Sequence, residues 1–150
     1  MSLYTIFKIS SQGMTAQRER LEAASANLAN ANSTRAANGK PYQRRDVVFT
    51  AIDINDQWRE MSSESGLASN RAKPQGVSSE VVEADIGKTV KQFQPWNPDA
   101  DANGYVDMPD VDPLEETVNM MSAARAFEAN ATVFGTAKEL ARVSLNLGDA

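Results

Sequence analysis

The residues best spaced to do chemistry lie between Asp99 and Asp110. Asp99, Asp101, Asn103, Asp107 and Asp110 put oxygen ligands at positions 1, 3, 5, 9 and 12 of a loop that has Gly104 at position 6 and Val106 at position 8. This is the order in which a calcium loop presents its ligands, with the glycine permitting the sharp turn. Several features oppose that use. Asp110 stands where a longer Glu normally supplies the bidentate contact, Pro109 precedes it, and Pro95 and Pro98 preclude an entering helix. The loop is also single, whereas such loops normally come in pairs. The preferred reading is a tight Asn103-Gly104 turn between a sheet and a helix, with a calcium-binding module over 99–110 as an alternative.

Little else in the chain is equipped for catalysis. It has no His and no Cys, which excludes imidazole bases, Ser–His–Asp and Cys–His triads, thiolate zinc sites, iron–sulfur clusters and disulfides. Carboxylates are plentiful, but a glycosidase or aspartyl mechanism needs them in a concave apolar pocket that the sequence does not imply. Met120-Met121 at helical spacing reads as packing, and no Gly-rich phosphate loop is present. Arg35, Lys40, Arg44 and Arg45 have only Tyr42 and Phe49 as aromatic neighbours, so they read as a solvated basic loop, not a nucleic-acid site. No catalytic residue, cofactor or metal is therefore assigned, and the chain is not expected to be an enzyme. Residues 1–50 carry a net charge of +4 and residues 51–150 one of −9, a polarity suited to head-to-tail stacking of subunits.

The 150 residues make one ordinary domain's worth of chain. The apolar set is unusual: 22 residues are Ala, while Leu, Ile, Val and Phe together number only 29. Eight Ala fall between Ala16 and Ala37 and seven between Ala123 and Ala141, which predicts closely packing helices near both ends. Residues 3–32 read as an amphipathic helix, with a possible break near Gly13. Phe7, Met14, Leu21 and Leu28 recur every seven residues, with Ala24 and Ala31 beside them, and Arg18, Glu19, Glu22 and Asn27 lie on the opposite side.

Residues 47–54, 77–84 and 88–94 read as strands, with 85–87 as the turn between the last two and 55–76 as a long polar loop. The second helix has clear signals. Asp112 is an N-cap, Pro113 takes the first helical position and Glu115 completes a capping box. It runs to Leu147, with Gly148 as its stop. Met120, Phe127, Phe134 and Ala141 form one stripe, flanked by Ala124, Ala131 and Leu145, and Ala126, Val133, Leu140 and Leu147 form a second. The two helices can pair with each other and still leave a stripe uncovered, so an assembly protein is expected. No segment approaches the roughly 20 apolar residues of a membrane span, and none provides a secretory signal core.

Met14-Thr15-Ala16-Gln17-Arg18-Glu19-Arg20-Leu21, followed by Ala26-Asn27-Leu28-Ala29-Asn30-Ala31-Asn32, resembles the N-terminal signature of flagellar rod, hook and hook-associated proteins. Gly39-Lys40-Pro41-Tyr42, Val47-Val48-Phe49, Asn97-Pro98-Asp99-Ala100-Asp101, Gly104-Tyr105-Val106, Pro109 and Val111-Asp112 narrow the resemblance to the basal-body rod proteins. Ala126-Phe127-Glu128-Ala129-Asn130 and Leu145-Asn146-Leu147-Gly148 fit the same family, while Asp110 and Thr117 depart from its usual Asn and Met.

The resemblance implies an α+β fold, in which long N- and C-terminal α-helices pair as a coiled coil with a small β-rich domain between them. The expected segments are a rod helix over 1–35, a middle domain with the acidic loop over 36–111, and a second rod helix over 112–150. The family's role implies a structural subunit of the proximal rod, self-assembling into a hollow shaft that crosses the periplasm and transmits torque. It implies export from the cytoplasm by the flagellar type III apparatus without a Sec signal, and no membrane insertion. Other rod and basal-body proteins are the implied partners, nucleic acid is not, and the chain is oligomeric only within the rod. The expected assembly interface comprises Phe7, Met14, Leu21, Ala24, Leu28 and Ala31 on the first helix. On the second it comprises Met120, Ala124, Phe127, Ala131, Phe134, Leu140, Leu145 and Leu147. A soluble coiled-coil adaptor is the other alternative.

Overall fold

The computed structural model describes residues 3–36, 39–54, 74–84 and 88–148. Two long helices, α1 (Leu3–Ala29) and α2 (Pro113–Gly148), bracket four strands: β1 (Arg45–Asp53), β2 (Gln75–Glu83), β3 (Thr89–Phe93) and β4 (Tyr105–Pro109). The fold class is α+β, as expected. The helix α1 is continuous through Gly13, where a break was anticipated. The reason is steric: a Cβ at Gly13 would lie 3.0 Å from the side-chain amide of Asn130, so the glycine admits a close neighbour without interrupting the helix.

The start of α2 follows from local chemistry. The Asp112 carboxylate accepts the Leu114 N–H at 2.8 Å, its carbonyl accepts the Glu116 N–H at 3.0 Å, and Pro113 fills a position that has no donor to lose. The capping box does not close as drawn from the sequence, because Glu115 extends toward Arg44 instead.

The strands form two separate two-stranded sheets, β1 with β2 and β3 with β4. At the two ends of the first ribbon, Ala84 N–H donates to the Arg44 carbonyl and Ile54 N–H to the Pro74 carbonyl, as antiparallel pairing requires. The second sheet is antiparallel, with Thr89 opposite Pro109 and Phe93 opposite Tyr105. The strand β4 was not expected. It is only 5 residues long and occupies the second half of the calcium-like loop, and its identity comes from pairing with β3. The expected turn at 85–87 and nearly all of the expected 55–76 loop lie outside the described residues.

By contacts the chain divides into two compact units. One gathers the described parts of 1–17, 49–79 and 125–150, and the other those of 18–48 and 80–124. The first buries Ala16, Ile54 and Ala137, and the second Ala23, Ala24, Ala31, Val106 and Ala123. Most of these are alanines, so the packing is thin and backbone-close, as the composition predicts. No helix among the described residues is long and apolar enough to cross a membrane.

Candidate assembly surface

The second unit is tied by polar side chains that the hydrophobic pattern does not reveal. Asn27, read from the sequence as solvent-facing, is 1% exposed. Its Nδ2 donates to the Arg45 carbonyl at 2.8 Å and its Oδ1 accepts the Arg45 N–H, also at 2.8 Å. One side-chain amide thereby matches both backbone polar groups of one residue, as a neighbouring strand would. The Tyr42 hydroxyl donates to the same Oδ1 at 3.0 Å. Burial raises the Tyr42 pKa, assisted by the charges of Glu116 and Glu83 and opposed by Arg45.

Next to this, Arg44 Nε donates to Glu116 Oε1 at 2.7 Å, while its Nη1 and Nη2 reach Asp46 and Glu115 at 3.3 and 3.5 Å. The Glu116 side chain is only 2% exposed and is therefore a buried carboxylate facing a guanidinium. Burial alone would lower the Arg44 pKa, but the Glu116 hydrogen bond and the Asp46, Glu116 and Glu115 charges outweigh it and raise it. Arg20 Nη2 donates to Asn119 Oδ1 at 2.9 Å. The basic loop of the sequence is thus largely committed within the chain, since Arg35 also pairs with Asp99 at 2.8 Å.

The calcium-like loop is used in the same internal way. Asp99 receives the Thr34 hydroxyl on one oxygen and Arg35 on the other, both at 2.8 Å. Asp101 Oδ1 accepts the N–H groups of Asn103 and Tyr105 at 2.8 and 2.9 Å, which hold its pKa below the usual carboxylate value. Lys88 pairs with Asp110 at 2.9 Å. Among the described residues, no group of three or more carboxylates is arranged to hold a metal ion. The adjacent cleft, of about 190 Å³, is lined by Arg35, Lys91, Asp99, Asp101 and Asp107 among others. It is polar and small beside the mostly apolar pockets that enclose substrates.

The first unit shows a different surface. Phe7 meets Phe134 edge to face, with ring centroids 4.9 Å apart, so these two expected interface residues touch within the chain. Lys8 Nζ donates to the Ile54 carbonyl at 3.3 Å. Of the other expected interface positions, Ala24 and Ala31 are buried, and Met14, Leu21, Met120 and Ala124 are half-buried. Leu28, Phe127 and Ala131 are exposed, and Leu140, Leu145 and Leu147 are open to 57, 72 and 74%. Together with Val133 and Val143, these leave the end of α2 with large apolar side chains in water. At the start of the same helix Leu114, Val118 and Met121 are likewise exposed.

Residues 7–36 match the family described as flagella basal body rod protein, and residues 102–147 match the C-terminal family of flagellar basal body rod FlgEFG proteins. The flagellar basal-body rod protein FlgC of Salmonella typhimurium is 39% identical over 148 residues, covering 99% of each chain. FlgC of Borreliella burgdorferi is 35% identical over 149 residues with 97% coverage of each, and FlgC of Bacillus subtilis 35% identical over 159 residues with 99%. The chain belongs to the FlgC family of flagellar basal-body rod proteins. It is accordingly a structural rod protein and not an enzyme.

The rod chain also buries positions on α2 that sequence reasoning passed over. Glu116, Ala123, Asn130 and Ala137 recur every seven residues on α2; three of them are buried and Asn130 is half-buried against Gly13. Their spacing carries the signal, but two are polar and two are Ala, so a search for large apolar residues does not find them. Asn27, Arg44 and Tyr42 had no signal of that kind, because their roles depend on partners distant in sequence.

Proposed function

We propose that this rod protein is laid down in the proximal rod through its terminal helices, which pair as a coiled coil and pack with the helices of neighbouring rod subunits. The apolar stripes of α2 carry this reading. Leu114, Val118 and Met121 in one stretch, and Val133, Leu140, Val143 and Leu147 in the other, are exposed on a helix whose family is an assembling one. Covering what remains exposed of each such side chain is worth about 1–2 kcal/mol, which summed along the helix is a strong drive toward a partner. The helix α1 exposes Leu3, Tyr4 and Leu28 near its ends, while between them its exposed positions are polar, Ser11, Thr15, Arg18, Glu22 and Ser25, with Arg18 and Glu22 paired along the helix at 3.6 Å. On this reading segments 1–35 and 112–150 form the shaft and 36–111 a small outer domain. Export proceeds through the flagellar type III apparatus, the partners are other rod and basal-body proteins, and the assembled rod spans the periplasm and transmits torque.

The test is complementation of a strain lacking its own copy, using full-length Leu140→Glu. Because Leu140 is exposed, the purified variant should keep the parent's helix content and unfolding midpoint while the strain fails to swim. Normal swimming would overturn the assembly surface. A discrete dimer of the free parent chain would overturn it in favour of a soluble adaptor, and calcium-dependent melting would do so in favour of a metal module.

A further inference from the structure

We propose that Asn103-Gly104 is a site of spontaneous deamidation that the folded chain holds closed through Asp101. The pair lies in the turn between β3 and β4, where Asn103 is exposed and Gly104 has φ +81°. A glycine following Asn leaves its backbone nitrogen unshielded by a Cβ. That nitrogen attacks Asn103 Cγ and an N–Cγ bond forms. The Cγ–Nδ2 bond breaks, and Nδ2 departs as ammonia with the proton released from the Gly104 amide. Water then opens the cyclic imide at one carbonyl or the other, leaving aspartate or isoaspartate.

Three hydrogen bonds oppose the first step. Gly104 N–H, the nucleophile's own proton, is held by the Asp101 carbonyl at 2.9 Å. Asn103 N–H and Tyr105 N–H both donate to Asp101 Oδ1, at 2.8 and 2.9 Å, fixing the backbone on either side of the attacking nitrogen. The space above the turn is also filled, since a Cβ at Gly104 would lie 2.9 Å from the Phe93 ring and 3.2 Å from Pro95 Cβ. The backbone therefore has little room to swing toward Asn103 Cγ. Isoaspartate adds a methylene to the main chain, which would displace Tyr105 from its edge-to-face contact with Phe93, where the centroids are 5.4 Å apart. The proposal does not depend on the assembly reading.

The full-length chain, folded and in urea, is incubated at mildly alkaline pH, and deamidation is scored residue by residue by peptide mass mapping. Asn38-Gly39 in the urea sample serves as the reference rate for an unrestrained pair. Asn103 should match that reference in urea and react at least about tenfold more slowly in the folded chain, because reaction then waits on local opening. Folded Asp101→Ala loses the two side-chain bonds and keeps the main-chain one, so it should react several-fold faster than the folded parent while keeping its circular dichroism, since Asp101 is on the surface. Equal rates folded and in urea, or an Asp101→Ala variant no faster than the parent, would overturn the proposal.

Discussion

The two compact units are held together by different means. In the unit that gathers 18–48 and 80–124, buried polar groups find specific partners: Asn27 makes three hydrogen bonds, Glu116 faces Arg44, and Asp99 is shared by Thr34 and Arg35. In the unit that gathers the described parts of 1–17, 49–79 and 125–150, an aromatic contact and two buried amide oxygens stand out. Phe7 meets Phe134, while the buried Oε1 atoms of Gln12 and Gln17 have no hydrogen-bond partner. The end of α2 exposes Leu140, Leu145 and Leu147. Specific polar contacts define one arrangement of a free chain, because each requires a particular partner at a particular angle. Unburied leucines define none until something covers them. The end of α2 is therefore a stretch whose surroundings depend on neighbours, and so is its start, where Leu114, Val118 and Met121 are exposed.

The comparison breaks most readily at Arg44. Arg44→Ala leaves the buried Glu116 carboxylate without its guanidinium and should cost about 3 kcal/mol in urea unfolding, whereas Arg44→Lys should recover part of this. A loss no larger than that of an exposed substitution would mean that Glu116 finds water or another donor. Asn27→Ala comes next, at about 2 kcal/mol, because it orphans the Arg45 N–H and C=O together with the Tyr42 hydroxyl. Hydrogen exchange should show the Arg45 amide losing protection while the amides of residues 137–147 do not change.

The smallest effect sharpens the contrast through pH. The Tyr42 pKa is raised in the folded chain, so the folded state disfavours its ionisation. The contribution is fully present below the ordinary tyrosine pKa of about 10 and is lost as pH rises through the higher folded value. Tyr42→Phe should flatten the alkaline fall in stability. An unchanged alkaline slope would show that other tyrosines or lysines control it.

Much of the backbone plan is legible in the residues. The heptad spacing of Phe7, Met14, Leu21 and Leu28 gives α1, and Asp112-Pro113 gives the start of α2, because capping and helical periodicity act within a few residues. The β-branched and aromatic run Val47-Val48-Phe49 gives β1 for a similar reason. Strand β4 is not legible: Tyr105 to Pro109 is short, contains Asp and ends in Pro, and only the register with β3 makes it a strand. The acidic loop shows the limit most directly, since its spacing fits a metal ion while its carboxylates are already engaged by Thr34, Arg35 and the turn's own amides.

The sequence by itself therefore determined the helices, three of the four strands, the alanine-rich packing and the exclusion of histidine and cysteine chemistry, all of which rest on composition and short-range spacing. Tertiary structure alone decided which strands pair, that Asn27 is buried, that Glu116 faces Arg44, and which leucines of α2 remain in water. These depend on groups separated by tens of residues, and a hydrogen bond or ion pair forms only where folding brings both partners within about 3 Å.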